Sequence, residues 1–324
     1  MKVGEVGEFG LIERIRKAAP QGRGVRAGIG DDAAWLASGG AALLVTADLL
    51  IEKVHFDLRW TSFYALGYKT LAVNLSDIAA MGGLPAYLTL SLAIPARFDS
   101  KDIEEFYRGV RALALRTDVS VVGGDISRAR RFFVSAALIG RAPYKPILRS
   151  GARPSDDLYV TGTLGDSALG LKLLKKNAKG RDAAYLIERH NYPAPRLRAG
   201  ALLAQRRLAT AMIDVSDGLL QDLGHICKAS GVGAEIREES LPLSPAYRRL
   251  SGGDAATALG GGEDYELLFT ARPRARKVLE RLRTSLGVRV TRIGRCLSAR
   301  TGIKVLDRRG RARQPSVTGY DHFK

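Results

Sequence analysis

The sequence predicts an α/β (α+β) protein of two lobes, and three observations predict it. The chain has 324 residues, where single domains usually run to ~100–200. Stretches of period-two apolar alternation take turns with stretches of helical spacing. One segment, APYKPILRSGARPSDD (Ala142–Asp157), is rich in Pro, Gly and charge. It reads as the boundary between an N-terminal lobe, 1–145, and a C-terminal lobe, 146–324.

In the first lobe, ALLVTADLL (Ala42–Leu50) reads as a buried strand ending at Asp48. TSFYALGYKTLAVNLSDIAAMGG reads as a helix opened by Thr61 or Ser62 and stopped by Gly82 and Gly83, with Leu71, Leu75, Ile78 and Ala79 as its apolar face. AYLTLSLAIP sets Ala86, Leu88, Leu90, Leu92 and Ile94 against Tyr87, Thr89 and Ser91, a half-buried strand ended by Pro95. Ile103, Phe106, Tyr107, Val110, Leu113 and Ala114 follow helical spacing, and VSVVGGD and RFFVSAALIGRA read as strands. In the second lobe LYVTG is a strand, TLGDS a turn, and a helix starts from Ala168. AMIDVSDG is a strand ending in acids. LLQDLGHICKAS is a helix with Leu219, Leu220, Leu223, Ile226 and Cys227 on one face and Gly231 near its stop. EDYELLFTA is a strand with an acidic entry.

Hydrophobic residues make up 46% of the chain and charged residues 26%, the balance of a globular domain. No apolar run reaches the ~20 residues of a membrane helix. The opening MKVGEVGEFGLIERI lacks the basic and apolar regions of a secretory leader. Cys227 and Cys296 share no metal-binding spacing, and Cys227 lies at an apolar helix position. A reducing cytoplasm is the expected location. The net charge is +18, concentrated at the end: residues 271–324 carry 16 Lys and Arg against 3 Asp and Glu. These alternate with apolar residues and lack interleaved aromatics, so solvated faces are expected there rather than a nucleic-acid platform.

The acids are distributed in a pattern. Asp31, Asp48, Asp77, Asp125, Asp214 and Asp217 each fall where an element is expected to end or a Gly-rich turn to begin. GIGDDAAW (Gly28–Trp35) places Asp31 beside Asp32, two carboxylates that repel unless a cation or donors lie between them. Asp77 lies close to the apolar face of its helix, a costly place for an unpaired carboxylate. Many carboxylates, four histidines and no cysteine pair favour a hard cation such as Mg2+ or Mn2+. VVGGD and VTGTLGDS are turns able to cradle phosphate. Each piece also has a plain reading: Asp before Gly makes turns, and Asp217 could cap the helix from Leu219. There is no P-loop, protein-kinase signature, GxSxG elbow or well-placed GxGxxG, so phosphate chemistry needs another scaffold.

At these residues the chain resembles the thiamine-monophosphate kinases of the aminoimidazole-ribonucleotide-synthetase-like superfamily. The resemblance spans nearly the whole chain: GEFGLIERI, GIGDDAA, VHF, AVNLSDIAAMGG, GGD, RSGARPSDDLYVTGTLGDSALGL, IDVSDGLLQDLGHI, GGEDYELLFT and GYDHF, in order. It implies a two-domain fold similar to aminoimidazole ribonucleotide synthetase, with mixed sheets covered by helices and a homodimer joined through the N-terminal domains. It also implies ATP-dependent phosphorylation of thiamine monophosphate, with several Mg2+ ions. Carried over, Asp31, Thr46, Asp48, Asp77, Asp125, Asp214 and Asp217 would bind Mg2+, with Asp77 and Asp217 catalytic and Asp32 supporting Asp31 or capping the turn. Tyr107, Gly124, Arg149 and Ser216 would contact ATP, and His55, Glu263 and Tyr320 the thiamine monophosphate. Ala47 departs from the family's Ser or Thr, so any metal contact there falls to its main-chain carbonyl; Ile126 departs from GGDT. Taken singly, His55 could be a strand histidine, Glu263 a turn cap and Tyr320 plain packing. Other ATP-using members of the superfamily are the nearest alternative; the N-terminal Cys or selenocysteine of selenophosphate synthetases and the C-terminal Cys of hydrogenase-maturation proteins are absent. A nucleic-acid-binding protein on a degenerate scaffold is the non-enzymatic one.

Overall fold

The computed structural model describes residues 3–313 apart from 21, 40 and 283; Tyr320 lies outside the described residues. The strands are β1 (Val25–Ala27), β2 (Ala34–Ser38), β3 (Ala41–Ile51), β4 (Leu84–Ile94), β5 (Ser120–Arg128), β6 (Phe133–Ala142), β7 (Asp157–Thr161), β8 (Ala209–Asp214), β9 (Val232–Arg237), β10 (Leu267–Ala271), β11 (Val290–Ser298), β12 (Ile303–Leu306) and β13 (Ala312–Arg313). The longer helices follow α1 (Val3–Val6): α2 (Glu8–Ala18), α3 (Phe63–Ala80), α4 (Ser100–Thr117), α5 (Asp166–Lys175), α6 (Arg181–Asn191), α7 (Leu197–Gln205) and α8 (Leu219–Ser230).

Two mixed sheets result. The first runs β1-β2-β3-β6-β4-β5, antiparallel except for the β4–β5 pair, which α4 connects. The second runs β13-β12-β9-β11-β7-β10-β8, antiparallel except for β12–β9. Each sheet has its own core: Leu44, Leu75, Ile78, Leu90 and Phe106 in the first, Leu158, Val160, Ile213, Leu223 and Ile236 in the second. A third cluster joins them where Ala79 and Ala80 of α3 meet Leu203, Met212 and Phe269. The contact is close because Gly200 lacks a side chain: a Cβ there would sit 2.0 Å from the Ala79 carbonyl oxygen.

α3 begins as expected, with the Ser62 side chain accepting from Ala65 N–H. The structure departs from the expected single apolar face. Fifteen of its eighteen residues are buried, because the helix is enclosed by the first sheet, α4, α7 and β8. Its polar side chains, Lys69, Thr70, Asn74, Ser76 and Asp77, must therefore find partners inside the protein. β4 alternates as predicted, with Leu88, Leu90 and Leu92 buried and Tyr87 and Ser91 exposed.

Other expectations need correction. Asp48 does not end its strand: β3 continues to Ile51, and Asp48 pairs with Ala136. Asp125 lies within β5, which is an exposed edge strand along its whole length. α5 starts at Asp166, two residues before Ala168, because left-handed Gly165 turns the chain into the helix there. The acidic entry to β10 is an irregular loop, and the strand begins at Leu267. Both cysteines are buried and free.

Candidate active site

The loop from β6 to β7 threads between the lobes, Ile147 N–H donating to the Met81 carbonyl and Met212 N–H to that of Leu148. This brings Arg149 to the Asp31–Asp32 turn. Its main-chain N–H donates to Asp31 Oδ1 at 2.7 Å and its guanidinium to Asp32 Oδ1 at 2.9 Å. Two adjacent acids are thus divided between two donors of one arginine. The resemblance names Asp31 as the ligand, yet Asp32 is the one whose carboxylate gathers with those of Asp77 and Asp214, ligand oxygens all within 4.8 Å of one another. Asp32 Oδ2 is buried without a hydrogen-bond partner.

Separate elements bring Asp77 and Asp214 to Asp32, with Asp48 as a neighbouring charge. Asp77 comes from the last turn of α3, Asp214 from the C-terminal end of β8, and Asp48 from the helix-facing side of β3. Thr46, two residues before Asp48 and so on the same side of the strand, donates its hydroxyl to Asp77 Oδ2. Ser76 donates to Asp214 Oδ2 at 2.6 Å. Burial pushes Asp48 up to about 6. Burial, with Asp32 next, pushes Asp214 up to about 7. Burial and then the charges of Asp48, Asp214 and Asp32 hold Asp77 well above the usual carboxylate range. Asp31 is raised too, mainly by burial.

Asp217 lies just beyond, in the turn before α8, where Gln221 Nε2 donates to it at 3.0 Å. That turn is shaped by Asp222, whose Oδ2 accepts from the N–H groups of Ser216, Asp217 and Gly218 at 3.1, 3.2 and 3.1 Å. Asp217, Asp222 and His225 form a second close group. Sequence reasoning passed over Asp222; its signal is an acid four residues after the Gly that opens a helix.

Glu263 sits on the far side of the same centre. Its N–H donates to the Ser216 carbonyl at 2.7 Å and that of Tyr265 to Val215 at 2.9 Å, so its loop is bound to the Asp214–Asp217 segment. Both Glu263 and Tyr265 hold positive φ, 66° and 51°, costly for non-glycine residues. Glu263 pairs with Lys69 and faces His190. Burial raises its carboxyl, but Lys69, His190 and His55 together outweigh burial and hold it below its usual value. His55 therefore belongs to the same electrostatic neighbourhood; its Nδ1 accepts from Ile51 N–H at 3.0 Å. Lys69 and His190 were also missed, although a lysine amid LGYKTLAVN is a visible anomaly in a buried helix.

The remaining residues are placed apart. Asp125 is three strands from Asp48 in the sheet order, in the row Leu49–Ser135–Ser91–Asp125 on the exposed face, while Asp48 shares the row of Ala136, Leu90 and Gly124 on the other. Gly124 has a packing reason of its own, since a Cβ would lie 1.8 Å from the Leu90 carbonyl oxygen. Tyr107 is half-buried on α4, edge-on to Phe106 at 5.5 Å. Ala47 is exposed on the opposite side of β3 from Thr46 and Asp48.

Fold and site together define an AIR synthase related protein. Residues 30–142 match the N-terminal domain model of that family and residues 153–305 the C-terminal one. Within it, the chain belongs to the thiamine-monophosphate kinase family. It is 42% identical to the thiamine-monophosphate kinase of Escherichia coli K12, covering 98% of both chains, and 38% identical to that of Bacillus subtilis, covering 98% of this chain and 99% of the other. Among solved structures, AaThiL complexed with AMPPCP and TMP superposes with a TM-score of 0.86 at 36% identity over 99% of each chain. The thiamine-monophosphate kinase of Stenotrophomonas maltophilia gives 0.77 at 41% identity, over 94% of this chain and 98% of the other. No helix among the described residues is long and apolar enough to cross a membrane.

Proposed function

We propose that this chain transfers the γ-phosphoryl group of ATP to thiamine monophosphate, giving thiamine diphosphate and ADP, by direct in-line displacement. The observation that carries the reading is the buried, oxygen-only group Asp32, Asp77 and Asp214 beside Arg149. The related AaThiL, complexed with AMPPCP and TMP, supports ATP and thiamine monophosphate as the pair of substrates.

The donor set fits Mg2+. Its ligands are hard oxygens, Asp32 Oδ2 is unpartnered, and the carboxylates are too close to stay ionised together without a cation. Asp32, Asp77 and Asp214, with Asp31, Asp48 and Asp217 around them, would hold the ions, with Thr46 fixing Asp77. Bound there, Mg2+ offsets the repulsion between two phosphate-bearing substrates and aligns them. The chain itself supplies orientation. Arg149 offers a guanidinium held by Asp32, and Asp222 fixes the main chain around Ser216, the second ATP contact; Gly124 and Tyr107 complete that set. His55 and Glu263, with Tyr320, would receive the thiamine moiety. A phosphate monoester is largely ionised near neutral pH, its second pKa being ~6, so no strong general base is required.

The domain boundary is best placed at 145/146, within the loop between β6 and β7. The surface suited to a homodimer is the exposed edge of the first sheet, where Val121, Val122 and Ile126 of edge strand β5 are 44, 56 and 66% exposed and Tyr87 of the neighbouring β4 is 51% exposed. Asp125 is part of that edge. ADP release with Mg2+-ATP and thiamine monophosphate, thiamine or an aminoimidazole-ribonucleotide precursor tests the reading: turnover with thiamine monophosphate alone is expected, and silence with it refutes the assignment. Labelled protein recovered after incubation with γ-labelled ATP would refute direct transfer.

A further inference from the structure

What surrounds Glu263 decides which part of a substrate it can read. Its side chain is 30% exposed, whereas that of Lys69 behind it is 6% exposed. Lys69 Nζ lies 2.8 Å from Oε1, and His190 Nδ1 lies 3.3 Å from Oε2. His190 also meets Ser167 Oγ at 3.0 Å. Burial, followed by the Lys69 charge, pushes this histidine down to about 3, so it is neutral at physiological pH. The group therefore holds one full cation and one full anion. A cationic ring arriving at Glu263 meets a carboxylate already neutralised, with an ammonium directly behind it. What Glu263 still offers is acceptor capacity, since an ionised carboxylate has about four lone-pair sites and the lysine takes up only part of them. Its backbone, held at positive φ by the bond to Ser216, keeps that acceptor in one place.

Thiamine monophosphate presents two rings of different chemistry: a thiazolium, which carries the charge, and a neutral pyrimidine whose amino group donates N–H. We propose that Lys69 is a positioning residue that sets specificity, converting Glu263 from a counter-ion into a fixed acceptor for the neutral aromatic amine of the substrate. The thiazolium charge is then met elsewhere in the site. The inference rests on the kinase reading and deepens it.

The test is steady-state ADP release by the full-length protein with Mg2+-ATP and three phosphorylated acceptors: thiamine monophosphate, its 4-oxo analogue, and an analogue with an uncharged ring in place of the thiazolium. For wild type, the 4-oxo compound should raise KM on the order of 10–100-fold, the value of a hydrogen bond to a charged group, and the uncharged-ring compound should change it little. Glu263→Gln should collapse the amino-over-oxo preference, because an amide can also donate. Lys69→Met should raise KM for thiamine monophosphate with kcat held and make the uncharged-ring analogue the poorer acceptor; Lys69→Arg should recover most of the loss. A large KM penalty for the uncharged ring in wild type, or tighter thiamine monophosphate binding by Lys69→Met, would overturn the proposal. If Lys69→Met does not fold, the Glu263→Gln preference decides alone. Turnover of thiamine monophosphate with no amino-over-oxo preference overturns this inference only; no turnover at all removes the kinase reading and this inference with it.

Discussion

Replacing Asp77 by Asn should make the metal-free protein more stable while abolishing its response to Mg2+. The carboxylates of Asp32, Asp77 and Asp214 lie within 4.8 Å of one another. At an effective dielectric of ~20, two unit charges at that separation repel by ~3 kcal/mol. Three ionised carboxylates would then cost ~10 kcal/mol, as much as a whole domain's stability of ~5–15 kcal/mol. The protein avoids this by holding protons: burial, with the Asp32 charge next, raises Asp214 to about 7, and burial raises the neighbouring Asp48 to about 6. A carboxylate whose pKa is raised on folding stabilises the native state at low pH and loses that contribution as pH rises through the folded value. In EDTA the wild type should therefore melt at progressively lower temperature from pH 5 to pH 8. Asn keeps the shape and the acceptor for Thr46 while removing two of the three repulsive pairs. Protonation limits the relief to about 2–4 kcal/mol at pH 8, since a raised pKa carries ~1.4 kcal/mol per unit, which is several degrees in Tm. Thermal unfolding in EDTA and in MgCl2, at pH 5 and 8, reads both effects, with ADP release alongside. The reasoning is refuted if Asp77→Asn melts below wild type in EDTA at pH 8, or if it keeps the wild-type rise in Tm with Mg2+.

Three further outcomes are expected. Asp222→Ala leaves three main-chain donors without their acceptor and should lower stability by about 2–4 kcal/mol, read as a fall in the urea midpoint; Asp222→Asn should recover much of it. Gly124→Ala forces a Cβ to 1.8 Å from the Leu90 carbonyl oxygen, so β5 must shift or bend, at a cost of about 1–3 kcal/mol; an unchanged melting curve would show the approach of β4 and β5 to be looser. Arg149→Met should raise KM for ATP well above that for thiamine monophosphate, and equal effects on both would place Arg149 elsewhere in the reaction.

Much of the fold was legible because its elements follow simple periods. β4 alternates, α4 repeats its apolar residues every three to four positions, and Ser62 and Gly231 mark helix ends by capping chemistry. The errors have one cause: periodicity reports on a segment's own faces, not on what the fold stacks against them. α3 shows one apolar stripe in sequence but is enclosed on all sides, so Lys69, Asn74 and Ser76 are interior residues. β5 is apolar in composition and yet exposed along its length, because it closes the edge of the first sheet. For the site, the resemblance supplied the acids as a set. It could not say which of Asp31 and Asp32 enters the close group, since that choice is made by Arg149, 117 residues away from Asp32 in sequence. His190 acts through contacts of the same non-local kind, whereas Asp222 binds the turn just before its own helix.

The backbone bonds that tie residues 263–265 to 215–216 give the two halves of the site a mechanical relation. Asp214 ends β8, and β10, paired to β8 from Leu267–Asp214 onward, carries Glu263 and Tyr265 in the loop at its entry. Asp214, proposed to hold a cation, and Glu263, proposed to face the acceptor substrate, are therefore set at the ends of adjacent strands and stitched together beyond them. In-line transfer needs the attacking oxygen and the γ-phosphorus held in register, because small misplacements cost large factors in rate. Two residues at positive φ persist where the surroundings over-determine them. In the segment tying residues 215–216 to Glu263 and Tyr265, both conditions coincide. Under the proposed reaction its rigidity would help keep donor and acceptor at a fixed distance, while α3, which supplies both Lys69 and Asp77, spans the same gap from the other side.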